Sequence, residues 1–233
     1  MPDDARQSEA IILIKAASHA SAKHNELVYC AGVTPEGEWV RLYPVSFRKG
    51  ADALAFKRWD RVRYSWEDNP DDPRPESRRV VPHSMQIVGE LPQSERRDLI
   101  TRLTSSSLKD ATASGKSLAL LRPHNLKFSV RRKTPDELRE EQADYERIAS
   151  QIGTDALKPQ KPFPYKFHYA YATDEGPAEG TYQDWEMGET FSNLAESFGE
   201  AQTLARVIQV YGKQYPQKGV TFAMSRNTTS DPA

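Results

Sequence analysis

Apolar and polar residues alternate along much of this chain with the two-residue period of half-buried strands, and a smaller set of segments carries the 3.6-residue period of helices. The run Glu9 to Lys15 is short and Ile-rich and reads as a buried strand. Residues 17–25 read as a loop, Leu27 to Val33 as a second strand, and Thr34-Pro35-Glu36-Gly37 as a turn in which Pro presets φ and Gly accepts a positive one. Glu38 to Val45 follows as a third strand, so residues 26–45 predict a β-hairpin. Trp39, Arg41 and Tyr43 fall on one of its faces, and Val40, Leu42 and Pro44 on the other. Residues 47–58 are ambiguous, with one helical turn carrying Leu54 and Phe56 as an option. Trp59 to Trp66 sets Asp60, Val62, Tyr64 and Trp66 against Arg61, Arg63 and Ser65, a strand with its basic groups outward.

An acidic, proline-rich loop over 67–77 leads into a strand region, Arg78 to Val88, interrupted by Pro82. Pro92 to Leu103 predicts a short helix with Ser94 as N-cap and Leu99, Ile100 and Leu103 inward. Residues 104–115 are Ser/Thr-rich and read as loop, and strands follow at Lys116 to Leu121 and Asn125 to Arg131. Thr134-Pro135-Asp136-Glu137 is a T-x-x-E capping box with Pro at the first helical position. Leu138, Tyr145, Ile148, Ala149 and Ile152 then share one helical stripe, ended by Gly153. Beyond a linker over 154–164, Tyr165, Phe167, Tyr169 and Tyr171 alternate with Lys166, His168, Ala170 and Ala172, giving a strand with an aromatic face. Asp184 caps a helix carrying Trp185, Phe191, Leu194 and Phe198 and ended by Gly199; a second helix holds Ala201, Leu204, Ala205, Ile208 and Tyr211, and Val220 to Met224 is a last strand before a tail.

The element pattern predicts an α+β chain: a β-rich, partly barrel-like module over 8–133, a connecting helix over 134–153, and an α+β C-terminal module over 154–226. At 233 residues, 37% hydrophobic and 28% charged, with 10 Tyr, 8 Phe and 4 Trp, the chain has material for a sizeable core. Cys30 is the only cysteine, so no intramolecular disulfide forms, and its apolar run predicts a buried small side chain. No basic leader and no apolar stretch of membrane-spanning length appears, which makes a cytoplasmic, bacterial protein with no membrane partner the expectation.

A net charge of −1 hides segregation. Residues 41–133 hold 20 basic and 11 acidic side chains, and residues 134–233 hold 9 basic and 16 acidic. The basic centre suits an anionic partner; alternatively it packs against the chain's own acidic C-terminal part, which could equally dock a protein partner.

Most catalytic readings fail on spacing. Gly115-Lys116-Ser117 lacks the earlier Gly of a P-loop, since position 110 is Asp. His19, His24, His83, His124 and His168 make no metal-spaced set, so neither a metal nor a cofactor is expected. Asp184 and Glu186, two apart at a helix start, are explained by capping and the helix dipole.

What remains is a mixture of cations and rings. Trp39, Arg41 and Tyr43 lie on one strand face, Arg61 and Arg63 stand beside Tyr64 and Trp66, and Lys127, Arg131 and Arg132 flank Phe128. Charge for phosphates and flat faces for bases are what a nucleic-acid strand requires. The segments Tyr29-Cys30-Ala31-Gly32-Val33 and Gly37-Glu38-Trp39-Val40-Arg41-Leu42-Tyr43-Pro44-Val45 resemble a C-x-G … G-x-W-[IV]-R hairpin of uncharacterised bacterial proteins with dual OB-fold-like domains. Ser117 to Pro123 and Gln183-Asp184-Trp185-Glu186 resemble further blocks of that family. The resemblance implies small OB-like or PUA-like barrels of a type that binds oligonucleotides. The expected function is that of a nucleic-acid-binding accessory protein without catalysis of its own. Arg41, Arg61, Arg63, Lys127, Arg131 and Arg132 would meet phosphates, and Trp39 and Tyr43 would meet bases. The alternatives are an enzyme acting on nucleic acid or nucleotides, with Asp184, Glu186 or His168 near the chemistry, and a protein-interaction subunit of an operon-encoded complex.

Overall fold

A computed structural model of the chain describes residues 5–16, 27–46, 56–70, 72–81, 83–152, 162–182 and 184–225. The expected loop at 17–25, most of the ambiguous stretch 47–58, Gly153 with most of the linker, and the tail lie outside the described residues.

The β-rich half is built on a strand that serves two neighbours. Strand β1 (Arg6–Ala16) pairs antiparallel with β4 (Asp60–Glu67) over Arg6–Ile11 and with β2 (Leu27–Val33) over Ile11–Ala16. Strand β2 pairs with β3 (Trp39–Ser46), β3 runs parallel to β5 (Ser77–Val80), and β5 pairs with β4. The circuit β1-β2-β3-β5-β4-β1 is a closed, mixed five-stranded barrel, to which β6 (Gln86–Glu90) adds along β4. Alternation decides its interior: Ala10, Ile12, Cys30, Val40, Leu42, Val62, Tyr64 and Trp66 all point in.

Two irregularities make the closure possible. Between Ile12 and Ile14 the register of β1 against β2 slips, and Trp59 N–H donates to the Ile12 carbonyl at 2.7 Å. In β3, Tyr43 and Pro44 together oppose Tyr29, a bulge that tolerates a proline without an N–H. The bulge reverses the alternation, so Val45 joins Val40 and Leu42 inside the barrel, a position the simple two-residue period assigns to Pro44.

Unlike a free-standing barrel, this one has its outer face on β1–β3 covered. Helix α1 (Gln93–Leu103) lays Leu99, Ile100 and Leu103 against Ile11, Leu13, Ala31, Val33 and Trp39, together with Leu118 and Leu120 of β7 (Leu118–Leu121). The helix starts one residue before Ser94, with Pro92 at the N-cap position and no side-chain cap, so the expected Ser94 cap is not the one used. Helix α2 (Leu108–Ala113) lies inside the stretch expected to be loop, and the Ser107 hydroxyl caps it by accepting Asp110 N–H. Strand β7 is buried on both faces, with Ala119 and Leu121 packing on Ala111 and on Met224 of β11 (Phe222–Ser225).

The remaining elements form a second unit. Strands β8 (His124–Arg132), β9 (Tyr165–Thr173) and β10 (Gly176–Tyr182) make an antiparallel sheet, with α3 (Pro135–Ile152) between β8 and β9. Strand β8, read from sequence with the N-terminal module, thus pairs in this second sheet. One face packs Phe128, Val130, Tyr165, Phe167 and Tyr182 under α4 (Trp185–Phe198) and α5 (Glu200–Gln209) through Met187, Phe191, Leu204 and Val207. A π turn (Val210–Gln214) and α6 (Tyr215–Lys218) follow α5. The whole is α+β and rich in strands, with its helices concentrated in the C-terminal part.

Gly32 marks the tightest point of the closure. A Cβ there would stand 2.2 Å from the Ile11 carbonyl oxygen, a backbone atom of the neighbouring strand. Gly32→Ala is expected to lower unfolding stability by about 1–3 kcal/mol, as overpacking of a close-packed interior does. Urea unfolding at an unchanged m-value checks it, and an unaltered midpoint would mean that the strands do not meet there.

Candidate nucleic-acid interface

A buried cation of the barrel sits in an ion-pair network. Arg41 is 8% exposed, on the outer side of β3. Its Nη2 donates to Ser117 Oγ at 2.8 Å, to the Ser117 carbonyl at 3.1 Å and to Ser225 Oγ at 2.9 Å, and Nε lies 3.6 Å from Glu76 Oε1. Glu76, equally buried, also accepts Ser117 N–H at 3.0 Å and the Ser117 hydroxyl. Burial pushes the guanidinium down to about 10 and Arg74 adds to the shift, against the opposing charges of Glu76 and Asp72. The four groups come from β3, the β4–β5 loop, the start of β7 and β11, so the network pins the β7–β11 pair onto the barrel. The Gly-Lys-Ser string therefore contributes a structural serine.

The rings of the expected site are inside as well. Trp39 and Tyr43 are 6% and 7% exposed, and Trp39 belongs to the core beneath α1 and β7. The bases of a strand cannot reach them, so this face does not offer the stacking surface expected from the sequence. Trp66 and Tyr64 line the barrel interior, with the guanidinium groups of Arg6 and Arg78 at 3.8 and 4.2 Å from the Trp66 ring centroid. The mixture of cations and aromatics seen in the sequence is thus largely satisfied within the fold.

The other expected cations divide among three surfaces. Arg61 and Arg63 face outward from β4, where Arg63 pairs with its cross-strand partner Glu9 at 2.7 Å. Arg132 is exposed on the helix-covered side of the second sheet, 3.3 Å from Glu200 and 5.8 Å from the Tyr165 ring centroid. Lys127 and Arg131 point to the opposite side.

That opposite side is the candidate interface. Phe128, Val130, Phe167 and Tyr169 turn toward the helices, so the intervening residues turn away from them. In register, Arg131 stands beside Lys166, Ser129 beside His168 and Thr181, and Lys127 beside Ala170 and Glu179. Successive rungs lie about 7 Å apart, two residues of a strand. Lys127, Ser129, Arg131 and Thr181 are exposed, and Lys166 and His168 half-buried. The His168 Nδ1 approaches Thr181 Oγ1 at 3.5 Å.

The first turn of α3 closes one end of this face. Glu137 forms the predicted capping box: its Oε2 accepts Thr134 N–H at 2.8 Å while its own N–H donates to Thr134 Oγ1 at 3.2 Å. The same carboxylate accepts Arg131 Nη1 and Nη2 at 2.8 and 2.7 Å and Lys166 Nζ at 2.8 Å. The Arg131 fork, then Lys166, then Thr134 N–H hold its pKa well below the usual carboxylate range. Lys166 and Glu137 are members of the site that the sequence did not point to, and His168, expected there only in the enzyme alternative, lies beside them. The period of the aromatic strand placed Lys166 and His168 on its far side, and nothing local joined them to Arg131.

Other weighed groups have structural roles. Asp184 accepts Tyr182 Oη and Arg58 Nη2, each at 3.1 Å, which ties the second unit to the segment before β4. The side chains of Trp185 and Glu186, and His19 and His24 entirely, lie outside the described residues. Cys30 is buried in the barrel, and burial pushes its thiol pKa far up. Among the described residues, no cluster of His, Cys, Asp and Glu is placed to hold a metal ion, and no helix is long and apolar enough to cross a membrane.

Two expectations follow. Arg41→Ala leaves Glu76 buried without its cation and should cost about 3–5 kcal/mol in chemical denaturation; a loss below about 1 kcal/mol would show the pair to be solvated. Because the folded pKa of Glu137 is depressed, the ion-pair contribution is complete above its ordinary value of 4.5 and is lost only as pH falls through the lower, folded value. A carboxyl ¹³C titration should place the Glu137 midpoint well below 4.5, and a midpoint at 4.5 would sink the geometry.

Comparison with known proteins matches the halves separately. Residues 6–104, the barrel with β6 and α1, match the domain of unknown function DUF8758, and residues 100–231 match the domain of unknown function DUF8757. No curated protein matches the chain. The two matches meet at the end of α1, and since the second spans more than half of the sequence, the chain belongs to the family of the domain of unknown function DUF8757.

Proposed function

We propose that the protein binds single-stranded nucleic acid through the phosphate backbone, using the outward face of the β8–β9–β10 sheet, and performs no chemistry on it. The observation that carries the reading is the segregation on this sheet. The rings of Phe128, Phe167 and Tyr169 lie under the helices, and Lys127, Arg131, Lys166 and His168 present charge and hydrogen-bond donors on the other side. Rungs about 7 Å apart suit the repeat of an extended strand lying along β8. With aromatic rings withdrawn from the face, recognition is by charge, which makes it tolerant of sequence and sensitive to salt.

Two features support the reading. The outer side of β4 carries Arg61 and, paired with Glu9, Arg63, and residues 41–133 hold a strong basic excess. The closed five-stranded barrel accords with the resemblance to proteins with dual OB-fold-like domains, an architecture that often serves oligonucleotides. In this chain α1 and β7 cover the barrel face carrying Trp39, so the proposed contact surface moves to the second sheet and to β4. Nucleic acid is favoured over an acidic protein partner because each successive rung, Arg131 with Lys166, Ser129 with His168 and Thr181, then Lys127, offers a cation or a hydrogen-bonding group.

Fluorescence anisotropy with labelled single- and double-stranded DNA and RNA, from about 50 to 200 mM salt, tests the proposal. Single strands should bind with a steep salt dependence. Replacing Lys127 and Arg131 together by Ala should weaken binding and flatten the log–log slope by about 0.7 for each lost phosphate contact. Arg132→Ala, on the helix-covered side, should leave both unchanged. Absence of binding at the lowest salt, or an equal loss on replacing Arg132, would remove this function.

A further inference from the structure

We infer that Glu137 is a built-in stand-in for a backbone phosphate, so that the first turn of α3 holds the strongest anion seat of the sheet face shut until a nucleic-acid strand displaces it. The inference rests on the proposed function and adds its regulation. A carboxylate and a phosphodiester are both single negative charges offering two oxygens to a fork of donors. Glu137 uses both: Oε2 takes Thr134 N–H and Arg131 Nη1, and Oε1 takes Arg131 Nη2 and Lys166 Nζ. The four distances, 2.7 to 2.8 Å, are those of charge-assisted hydrogen bonds.

The same donors would serve a diester's two non-bridging oxygens without rearrangement of β8 or β9. Capping alone needs one of these bonds, and the other three belong to the two cations in the first rung of the face. The occupant is exchangeable because the pairs are not sealed in. Side-chain exposure is 47% for Arg131, 33% for Lys166 and 28% for Glu137, so water and salt reach the pairs. The helix behind it needs Glu137 only at its first turn. Lys133 separately holds Glu141 one turn further on, so the helix stays tethered when Glu137 swings away.

Glu137→Gln separates the two roles, because Gln also completes a capping box but carries no charge. Binding of a labelled single-stranded DNA oligonucleotide should tighten at least about five-fold near 100 mM salt, with the salt slope steeper by about 0.7 to 1.4 as one or two contacts are freed. Adding Arg131→Ala and Lys166→Ala should erase the gain. Far-UV circular dichroism and melting establish that each variant is folded, and Glu137→Asp, which keeps the charge but draws it back from Arg131, should give a smaller gain. A second readout uses inorganic phosphate alone, which should raise the melting temperature of the Gln variant and leave the wild type unmoved. If the wild type binds DNA and the Gln variant binds no tighter, the gate is wrong and the binding function stands. If neither binds any oligonucleotide yet phosphate stabilises the Gln variant, the anion seat stands and the nucleic-acid reading falls. If both readouts are flat, both ideas are overturned.

Discussion

The double pairing of β1 is the constraint from which the rest of the structure follows. A strand that leaves β4 at Ile11 and joins β2 from the same residue closes five strands into a ring, and the ring closes only because Gly32 brings no side chain against the Ile11 backbone. Closure removes the edges that an open sheet of these strands would present. It also determines where apolar surface remains. The interior takes Ile12, Leu42 and Tyr64, and the outward residues Ile11, Leu13, Val33 and Trp39 need a cover of their own. Helix α1 and β7 supply it, which is why the two family segments are joined by packing as well as by sequence.

Arg41 shows how that cover constrains function. On an exposed barrel face, an Arg between Trp39 and Tyr43 would be an invitation to a nucleic acid. Here Ser117 and Ser225 arrive with β7 and β11 and Glu76 arrives from the β4–β5 loop, so every hydrogen-bonding direction of the guanidinium that the network uses is spent within the chain. A buried pair of this kind adds little to net stability when intact, because desolvation offsets much of its attraction, and costs much when one partner is removed. The remaining positive charge lies on the outer side of β4, where Arg63 meets Glu9, and on the far side of the second sheet, where the first turn of α3 brings Glu137 to Arg131 and Lys166.

The second sheet divides its labour by parity. On β8 and β9, Phe128, Val130, Phe167 and Tyr169 share one parity and face α4, α5 and the turn after them, whereas Lys127, Ser129, Arg131, Lys166 and His168 have the other. The arrangement gives a rigid platform, since the rings that anchor it, such as Phe128 against Phe167 and Tyr169, lie immediately behind the side chains that face out. Glu137 links this platform to α3 with one carboxylate that caps the helix and neutralises two cations, joining the local chemistry of a helix start to the electrostatics of a face formed by distant strands.

Much of the local structure was legible in the residues themselves. The hairpin of β2 and β3, the inward Val62, Tyr64 and Trp66, the capping box at Thr134 and Glu137 and the aromatic face of β9 each depend on contacts within a few positions, and a period or a spacing expresses them directly. Strand β10 was not visible, because Gly176-Pro177-Ala178-Glu179-Gly180 has no apolar alternation and is ordered by β9 beside it. Helix α2 was missed despite its Ser107 and Asp110 pair, the signal that would have found it. The site divided in the same way. Away from the β3 bulge, the sequence alone determined which residues share a strand face; only the tertiary structure decided which faces are covered, burying Trp39, Arg41 and Tyr43 and joining Arg131 to Lys166 and Glu137. Periodicity reports on neighbours along one element, whereas burial depends on partners that arrive from tens of residues away.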